Sequence, residues 1–484
     1  MKNGSYKLKM KENGKSDAKA QLSSSAIAKK YTVKTGLGKR PNDLKKTVAK
    51  QARRLYSPVE ADRIKRDYGM VTAEPRNMRK ARRSMILKPA PKDPTIPKGK
   101  FGENVNKIVL EVKEFISHID YSLLVIVAVL SCIGILAVHS ATITKGSARF
   151  DFMQIAMTVI GFCLMLGLTY IDYDVFTKHY KIILILNVIM LVFTVVFGTG
   201  ADGGGDTNHN WVRIGSFGIQ PAEIGKVLYI ITFAAHLDAV KHRINHIKTL
   251  FGLLLHAGLI IGLVLLEKDL GQATVYIAIT VVMLFAAKLS AWYFAGAGII
   301  GLAAAPIIFS NLQGYQKERI LVGFNPELDP VDKGYQAIQS KTAIGSGGIT
   351  GAGYRKGYLT QSVPSLLPAK QTDMIFAVIA EEFGFIGAAV VILLLAALVI
   401  KIFMNSITAD RMSGALICAG VAGMLTYQII ENIGMCLGML PVIGITLPFL
   451  SYGGSSILGN YLAIGMVLSV YAKNDRFYFS KGKI

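Results

Sequence analysis

The sequence predicts an all-α polytopic membrane protein with ten transmembrane helices. Hydrophobic residues make up 52% of the 484-residue chain, and many of them form near-continuous runs of Leu, Ile, Val, Ala, Gly and Phe. Such runs are long enough for a helix to cross a bilayer, which takes about 20 residues. A membrane β-barrel would instead show alternating segments of about 10 residues, and the sequence lacks them.

The N-terminal region differs in composition from the rest of the chain. Residues 1–118 contain 30 Lys and Arg against 11 Asp and Glu, so +19 of the formal net charge of +23 lies there. Few apolar residues accompany this charge, and such a composition cannot bury enough apolar surface to fold alone. We expect a disordered cytoplasmic tail over 1–118, a ten-helix membrane domain over 119–472 and a short cytoplasmic tail over 473–484. No cleavable signal peptide is visible, because the first apolar run lies beyond residue 119.

The basic tail has two candidate roles. As a solvated extension it would help to fix the orientation of the protein. Alternatively it would bind anionic lipid or an acidic cytoplasmic partner, at roughly 1 kcal/mol per basic residue near the surface. A nucleic-acid function is not indicated, because the positive charge is confined to the tail.

Ten apolar segments define the predicted membrane domain. They cover residues 122–138, 153–170, 182–197, 222–235, 250–266, 273–287, 292–310, 374–402, 414–437 and 457–471. With the basic tail inside, every even-numbered connection also lies inside and carries Lys or Arg, as the positive-inside rule requires. Both termini are therefore predicted to be cytoplasmic. A large extracellular loop, residues 311–372, then joins the seventh and eighth helices, and shorter outer loops cover 198–220 and 438–455.

Three carboxylates mark the start of the eighth segment. Asp373 stands where the polar outer loop gives way to apolar residues, so its side chain is predicted at the outer membrane face. Glu381 and Glu382 lie within the apolar run, where exposure to lipid would cost a few kcal/mol each, so they should face protein or a wet cavity. Structural pairing with neighbouring helices and a functional role at the membrane face both remain open for these residues.

Two further pairs of charges are predicted at a similar depth. Glu223 and Lys226 are one helical turn apart and can form an ion pair, and Lys268 next to Asp269 precedes the sixth segment. Buried ion pairs would be a structural explanation. A charged headgroup bound in one outer cavity would be a functional one.

The long outer loop combines glycine with positive charge. Its cations are Arg319, Lys333, Lys341, Arg355, Lys356 and Lys370, and its glycines cluster at 345–348 and 351–353. Cations and freely approaching backbone N–H groups suit an anionic ligand, although a flexible connection has the same composition. The four cysteines lie in apolar runs without C-x-x-C spacing or clustered His, so no metal site and no disulfide framework are predicted.

Five ordered motifs give the membrane domain a family resemblance. They are W-V-R-I-G with Q-P-A-E-I-G-K at 211–226, D-L-G at 269–271, G-Y-Q-A-I-Q-S with A-I-G-S-G-G at 334–348, L-P-A-K-Q-T-D-M-I-F-A-V-I-A-E-E-F-G-F at 367–385 and G-I-T-L-P-F-L-S-Y-G-G-S-S at 444–456. Residues 119–472 thereby resemble the SEDS family of shape, elongation, division and sporulation proteins, of the RodA and FtsW type. The opening I-D-Y-S at 119–122 and I-D-Y at 171–173 are more similar to the elongation branch. Glu267 and Lys268 depart from the Gln-Pro that usually precedes the aspartate.

The resemblance implies a peptidoglycan glycosyltransferase that polymerises lipid II at the outer face of the bacterial cell membrane. It implies Asp373 as the general base, and Lys226, Lys268, Arg213 and Lys370 as candidates to stabilise the departing undecaprenyl pyrophosphate. The full set of substrate-binding candidates from the motifs is Trp211, Arg213, Gln220, Glu223, Lys226, Lys268, Asp269, Arg319, Gln339, Ser340, Lys370, Ser451, Tyr452, Gly453, Gly454 and Ser455. Glu381, Glu382 and Glu431 are assigned supporting roles.

The implied partners are lipid II, the bilayer and a class B penicillin-binding transpeptidase. No cofactor is evident, and a divalent cation held mostly by substrate phosphates would leave no trace in the sequence. Two other classes of function stay open. A flippase for a polyprenyl lipid would also need a central charged cavity, and a scaffold would only hold the transpeptidase.

Overall fold

The computed structural model describes residues 119–200, 209–215, 217–311, 314–332 and 334–482. The predicted basic tail, residues 1–118, lies outside the described residues, so its disorder and its two candidate roles stay predictions. Of the predicted C-terminal tail, residues 473–482 continue the last helix.

The described chain is mostly helical. Its α-helices are α1 (Tyr121–Thr142), α2 (Ser147–Tyr170), α3 (Tyr173–Lys178), α4 (Tyr180–Phe197), α5 (Pro221–Val240), α6 (Ile247–Leu266), α7 (Leu270–Ala286), α8 (Ala291–Asn311), α9 (Gly314–Phe324), α10 (Tyr335–Ser346), α11 (Tyr358–Gln361), α12 (Ile375–Thr408), α13 (Met412–Cys436) and α14 (Gly454–Gly482). Short 3-10 helices cover Ile143–Lys145, Lys241–Arg243 and Pro326–Leu328. Strands β1 (Val212–Ile214) and β2 (Phe217–Ile219) form an antiparallel hairpin in which Arg213 lies opposite Gly218.

Local sequence signals fix several helix starts. Asp120 accepts a hydrogen bond from Leu123 N at 3.3 Å before α1, and Asp269 accepts one from Gln272 N at 3.0 Å before α7. An aspartate at this position satisfies a backbone donor that the first helical turn leaves free. Pro221 opens α5, where the missing proline N–H costs no hydrogen bond.

Each of the ten predicted apolar segments contains a helix of the described chain. Seven of these helices, α1, α2, α4, α6, α12, α13 and α14, are long and apolar enough to cross a membrane. The apolar helix α7 is shorter, at 17 residues, as is the apolar part of α8, Ala291–Ile307. Helix α5 has 20 residues but carries Glu223, Lys226 and Asp238.

The helices pack around α13 and α14, the most deeply buried of the spanning helices. Helix α2 lies along α14, whereas α7 and α12 pack against α13. Helix α5 contacts α4, α13 and α14. This arrangement brings the N-terminal ends of α2, α5, α7, α12 and α14 towards one cavity.

The eighth apolar segment differs from the prediction in one respect. The segment predicted as one continuous helix over 374–402 is interrupted at Gly384, whose φ of 65° and ψ of −164° are not helical. The freed backbone groups bond to the preceding loop: Gly353 N donates to Glu382 O at 2.9 Å, and Phe385 N donates to Gly348 O at 2.8 Å. A Cβ on Gly384 would lie 2.4 Å from Gly351 N, so only glycine fits this close approach. The long loop between α8 and α12 is thus anchored in the break of α12.

Candidate active site

A cavity of about 1570 Å³ lies where the N-terminal ends of five helices meet. Its wall combines the start of α2, the β1–β2 hairpin, the first turns of α5 and α7, the residues before α12, the segment 441–446 and the start of α14. The wall contains both apolar side chains, such as Phe152, Met157 and Leu270, and charged groups. A large cavity of mixed polarity suits a ligand with an apolar and a charged part.

Asp373 lies in the cavity wall, two residues before α12 begins. Its side chain is half-buried, and the part of the chain that the structure describes provides no hydrogen bond or ion pair to its carboxylate. Burial raises the pKa of the Asp373 carboxyl to about 6, because a low-dielectric surrounding disfavours the charged form. A carboxylate with this pKa can take up a proton near neutral pH.

The other two acidic side chains of the wall have partners. Asp269 Oδ2 accepts hydrogen bonds from Asn210 and from Gln220, each at 2.7 Å. Glu223 accepts a hydrogen bond of 2.5 Å from Gln272 and forms a 2.8 Å ion pair with Lys226. These contacts hold the hairpin, α5 and α7 together, and they leave Asp373 as the wall carboxylate that could exchange a proton with a ligand.

Among the residues that the structure describes, three cations face the same cavity. Arg149, Arg213 and Lys268 line it and have exposed side chains. Lys268 adopts a φ of 59°, a left-handed conformation that is uncommon for a residue other than glycine. Exposed cations in a partly apolar cavity can form charge-assisted hydrogen bonds with phosphate oxygens.

Many of the predicted site residues meet in this wall. The structure brings together Asp373, Trp211, Arg213, Gln220, Glu223, Lys268, Asp269, Tyr452, Gly453, Gly454 and Ser455. Ser455 also accepts a hydrogen bond of 2.9 Å from Gln220 N, and so joins α14 to the start of α5.

Other predicted binding residues lie outside the wall. Lys226 is buried in its ion pair with Glu223, and Ser340 is buried and donates to Cys436 O at 2.9 Å. Lys370 is fully buried and donates to Thr360 O and Thr144 Oγ1. Burial and internal bonding hold these side chains outside the cavity wall in this structure, and their contact with substrate stays a prediction.

The remaining predicted residues have structural positions. Ser451 is buried and donates to Thr372 O at 2.6 Å, and its assignment to substrate binding likewise stays a prediction. Gln339 is half-buried on α10 outside the wall, and the side chain of Arg319 lies outside the described residues. Among the supporting residues, Glu381 accepts from Leu359 N at 2.7 Å, Glu382 from Ser140 Oγ at 2.5 Å, and Glu431 is buried on α13.

Sequence reasoning missed several wall residues. Arg149, Asn210 and Gln272 line the cavity but were not predicted. Asn210 directly precedes the Trp211 motif and Gln272 directly follows D-L-G, so both could have been found by extending the motifs. Arg149 lies in a connection with no motif of its own, and only the packing of α2 along α14 brings it to the cavity. Among the described residues, no group of three or more His, Cys, Asp and Glu could hold a metal ion.

A model of the FtsW/RodA/SpoVE family, described as "Cell cycle protein", matches residues 121–476. The chain belongs to the FtsW/RodA/SpoVE family. This is the SEDS family that the motifs predicted, and the protein is accordingly an integral membrane protein.

Relatives from three functional branches of the family match over most of their length. Stage V sporulation protein E of Bacillus subtilis is 34% identical, over 72% of this chain and 96% of that protein. The probable peptidoglycan glycosyltransferase FtsW of Geobacter sp. strain M18 is 32% identical, over 72% of this chain and 96% of that protein. The peptidoglycan glycosyltransferase RodA of Treponema pallidum is 30% identical, over 74% of this chain and 98% of that protein. These identities do not separate the branches, so membership of the elongation branch stays a prediction.

Solved structures share the fold. A chain from a peptidoglycan synthase complex, studied for the coordination of polymerization and crosslinking, superposes with a TM-score of 0.61 at 27% identity, covering 74% of this chain and 98% of that chain. The rod shape determining protein RodA of Thermus thermophilus superposes with a TM-score of 0.55 at 24% identity, covering 73% of this chain and 96% of that chain.

Proposed function

We propose that this protein is a peptidoglycan glycosyltransferase that polymerises lipid II into glycan strands, with Asp373 as the general base. Relatives that carry the name peptidoglycan glycosyltransferase support the reaction class. The observation that carries the assignment of Asp373 is its place in the wall. It is a carboxylate without a protein partner among the described residues, in a cavity that it shares with three exposed cations.

The proposed reaction consists of one proton transfer to Asp373 and the exchange of one bond at the anomeric carbon of the donor. The Asp373 carboxylate takes the proton from a hydroxyl of the acceptor sugar, and the hydroxyl oxygen forms a bond to the anomeric carbon of the donor. The bond between that carbon and the pyrophosphate breaks, and its electron pair leaves with undecaprenyl pyrophosphate. A positioned base contributes about 10²- to 10⁴-fold to such a step.

The cations of the wall stabilise the leaving group in this proposal. Arg149, Arg213 and Lys268 are placed to bond the pyrophosphate oxygens as negative charge develops on them. The apolar part of the wall suits the first isoprenyl units of the lipid. The family resemblance also suggested Lys226 and Lys370 for stabilising the pyrophosphate. We assign this role to Arg149 in their place.

The finer topology is part of the same proposal. We place the ten apolar helices across the membrane with both termini in the cytoplasm, because the basic connections then lie inside. The cavity and the anchored loop between α8 and α12 then lie at the outer face. Residues 1–118 form a cytoplasmic tail in this arrangement, and a class B penicillin-binding transpeptidase is the proposed protein partner.

The proposal is tested by glycan-chain formation from purified lipid II. The wild type and the Asp373→Asn variant are each assayed with the transpeptidase partner in lipid vesicles. Asp238→Asn is the control, because Asp238 is a carboxylate on α5 that pairs with Lys241 away from the cavity. We expect long glycan from the wild type and from Asp238→Asn, and none from a folded Asp373→Asn protein.

Two results would contradict the proposal. Equal glycan formation by Asp373→Asn and wild type would remove Asp373 from the chemistry. Movement of lipid II across the vesicle membrane without any glycan would instead favour the flippase.

A further inference from the structure

The backbone carbonyls of Gln371, Thr372 and Asp373 each accept a hydrogen bond from another part of the chain. Tyr452 N donates to Gln371 O at 2.8 Å. The hydroxyl of Ser451 donates to Thr372 O at 2.6 Å, and the side-chain amide of Asn432 donates to Asp373 O at 2.8 Å. The backbone of residues 371–373 is therefore fixed by a hydrogen bond at each of its three carbonyls.

Both side-chain donors are themselves fixed. Asn432 is fully buried on α13, and its Nδ2 also donates to Ile445 O at 2.7 Å. Ser451 is 3% exposed, and its hydroxyl also accepts a hydrogen bond from Leu447 N at 2.8 Å. Each donor thus joins residues 371–373 to the segment 445–447, which follows Gly444 in the cavity wall.

The carboxylate of Asp373 has no such support. Its orientation depends on where the backbone of residue 373 lies, because the described residues provide its side chain with no hydrogen bond. A displacement of about 1 Å from the reactive geometry can cost about 10²-fold in rate. The Asn432 amide and the Ser451 hydroxyl, together with a weaker contact from the Cys436 thiol to Asp373 O at 3.6 Å, therefore help to set where this carboxylate lies in the cavity.

We propose that Asn432 and Ser451 are positioning residues for Asp373, which rests on the proposed function of the cavity. Neither Asn432 nor Ser451 lines the cavity wall. They set the rate of the chemical step through the backbone that carries the base. The first serine of S-Y-G-G-S thus acts on the base, in contrast to the predicted contact with substrate.

The chain contains a second buried serine, Ser469, that is similar to Ser451 and serves as a control. Ser469 lies on α14 and is 2% exposed. Its hydroxyl donates to Ile171 O at 2.6 Å and accepts from Tyr173 N at 3.0 Å. Its hydrogen bonds therefore resemble those of Ser451, but it holds the connection between α2 and α3, away from the cavity. Removal of either hydroxyl should lower stability similarly.

The test compares Ser451→Ala with Ser469→Ala in the full-length protein with its transpeptidase. Glycan formation from lipid II gives kcat and KM, and thermal unfolding in detergent gives stability. We expect Ser451→Ala to lower kcat by about 10²-fold with KM little changed. Ser469→Ala should keep the wild-type kcat with a similar loss of stability, and Ser451→Thr, which keeps the hydroxyl, should restore most of the activity.

A second pair of variants covers the case in which Ser451→Ala does not fold. Asn432→Leu removes the donor at similar volume, and Asn187→Leu is its control because Asn187 is fully buried on α4 and donates to Gly225 O at 3.3 Å. Equal kcat for Ser451→Ala and Ser469→Ala, or for both Leu variants, would overturn the positioning role while leaving the proposed function intact. A wild type that forms no glycan would overturn the proposed function first.

Discussion

The carboxylate of Asp373 lies next to Gly444 in the cavity wall. A Cβ built on Gly444 would lie 3.6 Å from Asp373 Oδ2, within ordinary van der Waals contact. Gly444 has a φ of 74°, a conformation that glycine adopts without cost. The absence of a side chain at this position therefore leaves open space in front of the proposed base.

Replacement of Gly444 by alanine should impair catalysis more than stability. The new methyl group would contact the Asp373 carboxylate and occupy space that an acceptor hydroxyl needs. Gly438→Ala is the control: Gly438 has a similar φ of 68°, but its Cβ would meet nothing closer than 4.0 Å. Both variants should lose about 1 to 2 kcal/mol of stability from backbone strain, and only Gly444→Ala should lose most glycan formation. Equal activities would show that the space in front of Asp373 is not used.

The pH dependence of the reaction should report the ionisation of Asp373. Its carboxyl has a pKa of about 6, and the proposed base acts only when it is ionised. The plot of kcat/KM against pH should therefore fall below about pH 6 and level off above it. In Gly444→Ala the added methyl group would further desolvate the carboxylate, so the fall should begin at a higher pH. An acidic limb near pH 4 in the wild type would contradict the burial of this group.

Sequence reasoning could predict much of this fold because the hydrophobicity and charge of each segment depend only on its own residues. Each apolar run became a helix, and the Asp269 cap follows from the residues beside it. The break at Gly384 could not be predicted, since it depends on loop backbone that fills the gap from more than 30 residues away. A glycine in an apolar run has the same appearance whether it permits helix packing or interrupts the helix.

The candidate site was predictable where residue type determines the role. Asp373 and Lys268 are polar groups beside apolar runs, and both line the cavity. The roles of Lys370 and Ser451 were not predictable, because burial and hydrogen-bond partners decide whether a polar side chain faces a ligand or holds the backbone. Arg149 was missed because its neighbours in the cavity come from distant segments.

Removal of one cavity cation should weaken the use of lipid II. Lys268→Gln keeps a polar side chain of similar length but removes the charge that faces the proposed pyrophosphate. A hydrogen bond to a charged group contributes about 1.5 to 3 kcal/mol, so kcat/KM should fall roughly 10- to 100-fold. Lys341→Gln is the control, because Lys341 is an exposed cation on α10 outside the wall. A similar loss for both variants would indicate a general effect of surface charge.

Glu267 should make the protein less stable as the pH rises. Its side chain is fully buried, and neither carboxylate oxygen has a hydrogen-bond partner in the described part of the chain. Burial, with a smaller effect of Asp269, raises the pKa of Glu267 from 4.5 to about 8. The unfolded chain therefore loses this proton before the folded protein does. Stability should decrease between about pH 4.5 and 8, at up to about 1.4 kcal/mol per pH unit, and change little from this group above pH 8.

The Glu267→Gln variant isolates this effect. It keeps the size of the side chain and cannot ionise, so the midpoint of thermal unfolding at pH 8 should rise relative to the wild type. At pH 4.5, where Glu267 is protonated in the folded protein, the two midpoints should nearly coincide. A constant difference between the two proteins across this range would mean that the carboxyl is charged when folded.

The buried ion pair between Glu223 and Lys226 gives a prediction about stability. The Lys226 ammonium lies 2.8 Å from Glu223 Oε2, and the side chains are 1% and 3% exposed. Removal of one member of such a pair leaves a buried charge without compensation and typically costs about 3 to 5 kcal/mol. Lys226→Met should therefore lower the midpoint of thermal unfolding strongly, whereas the double variant Glu223→Gln and Lys226→Met should recover most of it, because no charge remains to be desolvated. The midpoints of Lys226→Met, Glu223→Gln and the double variant, measured in one detergent, complete the double-mutant cycle. Additive losses would mean that the two side chains do not compensate each other in the folded protein.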